Sequence, residues 1–317
     1  MKEITRRQFI QGLAAGAAGI GLSRVFHGLV PEAEAASDSA PEKAPASSSD
    51  FTLTVLGARG SSPVCRGDSM AFGGSTSCYM LRAGGETIFL DAGSGLLSAP
   101  AEYPKPPVFL LSHLHVDHIL GLGMYSWLSK KEAETTIYVP AEDGDALQAL
   151  DGLYSPPYWP LSLTAYGSTV QVLPHGFPLQ IGEITVDGMK GCHPGGVWCF
   201  RIRYHGKTLV YASDFEHEEP YFSELIEFSR GADLILYDAQ YTAEEYEMKK
   251  GFGHSTAEKG LELLERAEAA QLLLIHHDPF LTDRQLLDRE AQIGRDNVRF
   301  AREGEVISLP CTENKRI

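Results

Sequence analysis

The run Ser112-His113-Leu114-His115-Val116-Asp117-His118 places three imidazoles and one carboxylate within six positions. It follows the apolar run 108–111, so it sits where the chain leaves the carboxyl end of a strand. In extended backbone, residues two apart point the same way, which lets His113 and His115 converge on one metal ion. Asp117 and His118 follow where the chain turns, and can face a second ion nearby. Imidazole with carboxylate, and no thiolate, suits zinc, manganese or iron. A metal centre of this kind acidifies and orients water, so the expected chemistry is hydrolysis.

Further residues of the same types recur at the ends of apolar runs or in glycine turns. They are Asp91 in Leu90-Asp91-Ala92-Gly93, His193 in Gly191-Cys192-His193-Pro194-Gly195, Asp214 after Tyr211-Ala212-Ser213, and His276 after Leu273-Leu274-Ile275. Taken alone, His193 reads as a turn residue, Asp214 as a strand-end hydrogen bonder and Asp91 as a turn cap. Their weight comes from the company of the 113–118 cluster. Gly253-His254-Ser255-Thr256 sets a histidine just ahead of a helix start, where backbone N–H groups favour an anion.

With these motifs in this order, the sequence resembles the metallo-β-lactamase fold hydrolases, whose signature is His-x-His-x-Asp-His. The resemblance spans residues 51–311 and implies an α/β fold, a four-layer αββα sandwich with its site along one edge of the sheets. Carried over position by position, it implies two divalent metal ions. One takes His113, His115 and His193; the other takes Asp117, His118 and His276; Asp214 bridges them, with a water or hydroxide between. Zinc is the expected metal, and manganese or iron fits the same donors. Asp91 would brace the metal loop instead of binding metal. His276 is preferred to His277 because it directly ends the apolar run, leaving His277 and Asp278 to point elsewhere. Asp117 would hold the nucleophile and accept its proton.

Two details of the resemblance bear on the substrate. The Asp214 slot holds Cys in several true metallo-β-lactamases, whereas Asp is typical of glyoxalase II, ribonuclease Z and phosphodiesterase branches. The His254 loop resembles the His-Ser-Thr loop of ribonuclease Z and its phosphodiesterase relatives, which implies a general-acid role for His254. The long Gly- and Lys-rich arm by which ribonuclease Z clamps tRNA is missing here. The expectation is therefore an exported hydrolase of small phosphodiesters, cyclic nucleotides among them. The rival readings are a thioester, lactone or β-lactam hydrolase on the same fold, and a non-catalytic metal-binding protein. The runs 57–63 and 73–78 resemble loops near such a site, with Ser75 or Thr76 as substrate contacts or as turn residues. In Tyr154-Ser155-Pro156-Pro157-Tyr158-Trp159-Pro160, Trp159 either stacks on a flat substrate group, is buried by its own loop or makes a dimer contact. His175, His205 and His217 have no comparable context and read as surface or structural.

The elements that must position these residues alternate. Strands are expected at 52–56, 78–81, 87–90, 108–111, 136–139, 170–173, 184–186, 198–204, 208–212, 234–237 and 272–275, with Gly84-Gly85 as a hairpin turn. Helices are expected at 142–150, 220–228, 255–269 and 283–293, the third opened by a Ser255–Glu258 capping box. The whole is 317 residues, with 43% hydrophobic and 22% charged residues, an ordinary globular composition. No apolar run reaches the roughly 18–20 residues of a membrane span. The net charge of −15 comes without a basic stripe, which speaks against large nucleic acid and leaves a small-molecule anion as the expected partner.

The N-terminus reads as an address. Arg6-Arg7, a mildly apolar stretch to Leu22 and the small-x-small site Ala33-Glu34-Ala35 resemble a Tat export signal over residues 1–35. Its removal takes four basic and three acidic residues, moving the charge from −15 to −16. Residues 36–50 read as a disordered Ser/Ala/Pro linker and 51–317 as one hydrolase domain. The expected location is the periplasm, or export by the same pathway, with no membrane anchor after cleavage. The resemblance also implies a homodimer. Of the five cysteines, buried thiols are expected, with a Cys65–Cys78 pair left open.

Overall fold

The computed structural model describes residues 50–311 except 129, 131–133, 140–145, 161, 164–168 and 175. Residues 1–35, the linker up to 49, His175 and the start of the helix expected at 142 lie outside the described residues. Two seven-stranded mixed sheets make up the architecture. The first contains β1 (Asp50–Gly57), β2 (Cys78–Ala83), β3 (Glu86–Leu90), β4 (Val108–Leu110), β5 (Glu134–Val139), β6 (Thr169–Pro174) and β14 (Val306–Pro310), in the order β14-β1-β2-β3-β4-β5-β6. The second contains β7 (Leu179–Ile181), β8 (Ile184–Gly191), β9 (Val197–Tyr204), β10 (Lys207–Ala212), β11 (Leu234–Asp238), β12 (Leu272–Ile275) and β13 (Val298–Phe300), in the order β13-β12-β11-β10-β9-β8-β7. The helices are α1 (Val116–Ile119), α2 (Ala146–Leu153), α3 (Tyr221–Phe228), α4 (Ala243–Met248), α5 (Ala257–Arg266) and α6 (Asp283–Ile293).

Burial explains the layers. One core joins the two sheets face to face, with Leu53, Leu81, Ile88 and Leu110 from the first against Phe200, Tyr211, Leu236 and Leu273 from the second. A second core covers the far face of the second sheet with Leu225 of α3, Leu263 of α5 and Leu286 of α6. β11 and β12 are therefore buried on both faces. They read as unbroken apolar runs because parallel central strands have no polar side. On the first sheet, Phe89 stacks on Phe109 at 4.8 Å, beneath Tyr103 and Tyr125. No helix among the described residues is long and apolar enough to cross a membrane.

Four expectations need correction. Asp50 already pairs with Pro310 in β1, so the strand begins where the linker was expected to end. The expected capping box does not open α5. Thr256 is the N-cap, its hydroxyl accepting Lys259 N–H, while Ser255 bonds to Tyr237 and His217 instead. The reason is that Ser255 is fully buried against the sheet and its hydroxyl is taken by tertiary partners. All five cysteines are free thiols as expected, but only Cys78 and Cys199 are buried, and Cys65 is exposed. Finally, β7, β13, β14 and α4 carry no counterpart in the sequence reading; two of them are only three residues long, too short to show a period.

Candidate metal centre

Several strands deliver functional residues at their carboxyl ends. Asp91 follows β3, Ser112 and His113 follow β4, Asp214 follows β10, Asp238 ends β11 and His276 follows β12. Sites at the carboxyl ends of parallel strands are the rule in open α/β sheets, since the loops there converge. Asp91, Asp214 and His276 sit at φ of 57°, 51° and 58°, the left-handed region that non-glycine residues seldom occupy. The turn lets each chain leave its strand abruptly and aim its side chain inward, a local strain that clusters at functional sites.

Two nests result. His113, His115, His193 and Asp214 form one, and Asp117, His118, Asp214 and His276 form the other; the candidate ligand atoms of each lie within 4.8 Å of one another. Asp214 belongs to both. Its Oδ1 stands 3.0 Å from His118 Nε2 and 3.2 Å from His276 Nε2, and its Oδ2 3.7 Å from His193 Nε2. Asp117 Oδ2 is 3.3 Å from His118 Nε2 and 3.4 Å from His276 Nε2. His113 Nε2 and His118 Nε2 are buried with no hydrogen-bond partner, the contacts of His118 being close but poorly aligned. Buried orphan nitrogens are uncommon, and a cation among these imidazoles and carboxylates satisfies both. The residues present therefore fit a pair of divalent ions.

The opposite nitrogens are occupied. His118 Nδ1 donates to Asp91 Oδ2 at 2.7 Å, His276 Nδ1 to Gln240 Oε1 at 2.9 Å, and His193 Nδ1 to the Gly253 carbonyl at 2.9 Å. His113 Nδ1 meets the Ser112 hydroxyl at 3.0 Å. Each bond leaves Nε2 for the centre, the usual outer support of metal-binding histidine. Asp91 is fully buried and lies outside both nests, accepting also from Ser112 N, Ser112 Oγ and Tyr211 OH at 2.6, 2.7 and 2.6 Å.

The charges are partitioned. Burial and the neighbouring His118 hold His113 well below its ordinary pKa, and burial lowers His193. Burial alone would lower His276 as well, but Asp214, Asp117 and Asp238 override it and raise it to about 9. The same contest raises His118. Burial works against ionised Asp117 and Asp214, yet the His118 charge holds both below the carboxylate range.

His254 stands beside the second nest. Its Nδ1 donates to Asp238 Oδ2 at 2.8 Å, its ring stacks on His276 at 4.8 Å, and Tyr241 meets it edge-on at 5.6 Å. Two glycines permit the close packing. A Cβ on Gly60 would lie 2.4 Å from the His276 ring, and one on Gly253, at φ +87°, would lie 2.1 Å from His193 Nδ1. Next to Gly60, Ser61 N–H donates to Asp117 Oδ2 at 2.8 Å.

Other candidates lie elsewhere. His277 faces away from the nests, donating from Nε2 to the Ala301 carbonyl at 2.8 Å between Phe72 and Phe300, where burial lowers it to about 3. Ser75 is engaged by Glu303 at 2.6 Å and Thr76 by Ser94, so both serve turns. Trp159 packs edge-on against buried Tyr154 at 5.7 Å, whose hydroxyl donates to the Ile119 carbonyl behind α1, while Tyr158 alone of that segment's rings is widely exposed. His205 stacks on Tyr204, and His217 bonds to Ser255, with burial lowering it to about 4. Sequence reasoning missed Asp238, Gln240 and Ser112. Asp238 carried a usable signal, because it ends an apolar run as Asp214 does.

Known proteins share this fold. The model of the beta-lactamase superfamily domain matches residues 86–277. A probable metallo-hydrolase, YhfI of Bacillus subtilis, is 27% identical over 266 residues, covering 80% of this chain and 98% of that protein. Its crystal structure superposes with a TM-score of 0.65 at 24% identity, over 82% of this chain and all of that one. A ribonuclease Z of Pyrococcus horikoshii is 26% identical, covering 71% of this chain and 89% of that enzyme. A diphosphatase of the PhnP family has the same fold at a TM-score of 0.64 and 20% identity, covering 83% of this chain and all of that one.

Proposed function

This chain belongs to the beta-lactamase superfamily, and on that premise we propose that it is a dinuclear metal-dependent hydrolase of small phosphodiesters, cyclic nucleotides among them. The observation that carries the reading is the His254–Asp238 pair at 2.8 Å, with His254 Nδ1 3.9 Å from the shared Asp214. Two divalent ions, zinc first among the metals these donors suit, would acidify a water between the nests and stabilise charge on the substrate oxygens. Asp117 and Asp214 are the carboxylates of the two nests, with Asp91 and Asp238 paired behind them to His118 and His254; two dications would leave the immediate donor set a positive charge for an anion. Asp117, held by Ser61 N–H, orients the attacking water and takes its proton. His254, fixed at Nδ1, gives a proton from Nε2 to the departing oxygen. The ribonuclease Z and the diphosphatase among the relatives favour a phosphate ester over a thioester, lactone or β-lactam.

The proposal extends to setting: residues 1–35 direct Tat export to the periplasm, and the mature protein acts there without a membrane anchor, as a homodimer on a small anion. Protein loaded with zinc or manganese is assayed on bis-p-nitrophenyl phosphate, nitrocefin and a thioester. Preferential turnover of the first supports the reading. Preference for either of the others overturns the substrate class, and protein that takes up no metal overturns the enzyme. His254→Ala lowers kcat on the phosphodiester by about 10²–10⁴ with metal content unchanged; an unaltered kcat removes the acid role.

A further inference from the structure

The loop 249–254 between α4 and α5 touches the centre twice. The Gly253 carbonyl takes the His193 Nδ1 proton at 2.9 Å, and the next residue is His254. Little in the loop's own sequence stiffens it, since Gly251 and Gly253 both sit at positive φ, 86° and 87°. What fixes it is Glu216, 2% exposed. Its Oε1 accepts the Gly251 N–H at 2.6 Å and the Tyr246 phenol at 3.1 Å, and its Oε2 accepts the Gly253 N–H at 2.9 Å. Its own N–H donates to the Cys192 carbonyl at 2.9 Å, one residue before His193. Among the described residues no cation pairs with this carboxylate. A buried carboxylate is costly unless hydrogen bonds replace its water, and here two of the donors belong to one loop.

We propose that Glu216 is a positioning residue: its carboxylate clamps the 251–253 loop so that the metal ligand His193 and the proton donor His254 are held in register. The part concerning His254 rests on the phosphodiesterase reading; the part concerning His193 does not. Glu216→Gln keeps the shape but turns an NH₂ group on one of the two glycine amides. At saturating metal, kcat on bis-p-nitrophenyl phosphate falls about 10–100-fold while KM stays within about threefold. In a His254→Ala background the same substitution costs less than about threefold, because both changes disable one device. Cobalt titration followed by visible absorption shows one of the two binding steps weakened about tenfold and the other unchanged. In the unaltered protein, the Gly251 and Gly253 amides exchange slowly with deuterium. Fast exchange there overturns the clamp, even if Glu216→Gln fails to fold. So does a kcat within twofold of normal with unchanged cobalt binding; a loss fully additive with His254→Ala overturns the part concerning His254. If no phosphodiester is turned over, the substrate reading falls while cobalt titration and amide exchange still decide Glu216.

Discussion

At the scale of single residues, support is as constrained as ligation. Asp91 is a member of neither nest, yet it takes hydrogen bonds from Ser112, Tyr211 and the nest histidine His118 with no exposure to solvent. Asp91→Asn replaces one acceptor oxygen by a donor facing other donors. The expected result is a loss of about 10–100-fold in metal affinity, read by competition with a chromophoric chelator. A variant that binds metal normally would leave Asp91 a merely structural role. The ligand types at 113–118 were legible in sequence because they are local and contiguous. Asp238 shows only its place at the end of an apolar run, and Gln240 shows nothing until β11 is laid beside β12 and its loop faces His254 and His276.

At the scale of elements, the centre depends on loops packed without room for a side chain. Gly60 follows the short bridge by which Arg59 pairs with Thr76 and His277, and it lies flat against the His276 ring. Arg59 itself is buried, donating to the carbonyls of Gly73, Asp278 and Leu281, so this loop cannot retreat. Gly60→Ala therefore displaces His276. We expect a loss of about 1–3 kcal/mol in stability by denaturant titration and, by metal analysis, a depleted second nest. Most central strands were legible from their apolar runs, since those runs are what two covered faces require. The three-residue strands β7 and β13 were not, because their place is set by neighbours already paired. Ser255 misled for a related reason: burial gave its hydroxyl to Tyr237 and His217 before the helix could use it.

At the scale of the whole molecule, both sheets meet at the centre, His113 and His118 following the first and Asp214 and His276 the second. Metal that bridges them adds a tie between layers, and binding to the folded form alone at a thousandfold over Kd contributes about 4 kcal/mol. Chelation is expected to lower Tm by roughly 8–16 °C in scanning calorimetry, at about 2–4 °C per kcal/mol for a domain of this size. His276, raised to about 9, carries a proton at pH 7 when no metal is bound. Loading at pH 7 therefore releases protons, and affinity climbs as pH rises toward about 9, measurable by calorimetry in buffers of differing ionisation heat. The two nests differ in one further respect: His115 reaches solvent, whereas His118 and His276 are sealed. Dialysis against a stripping agent should accordingly empty them one after the other, the open berth first, and a singly occupied species should accumulate on the way.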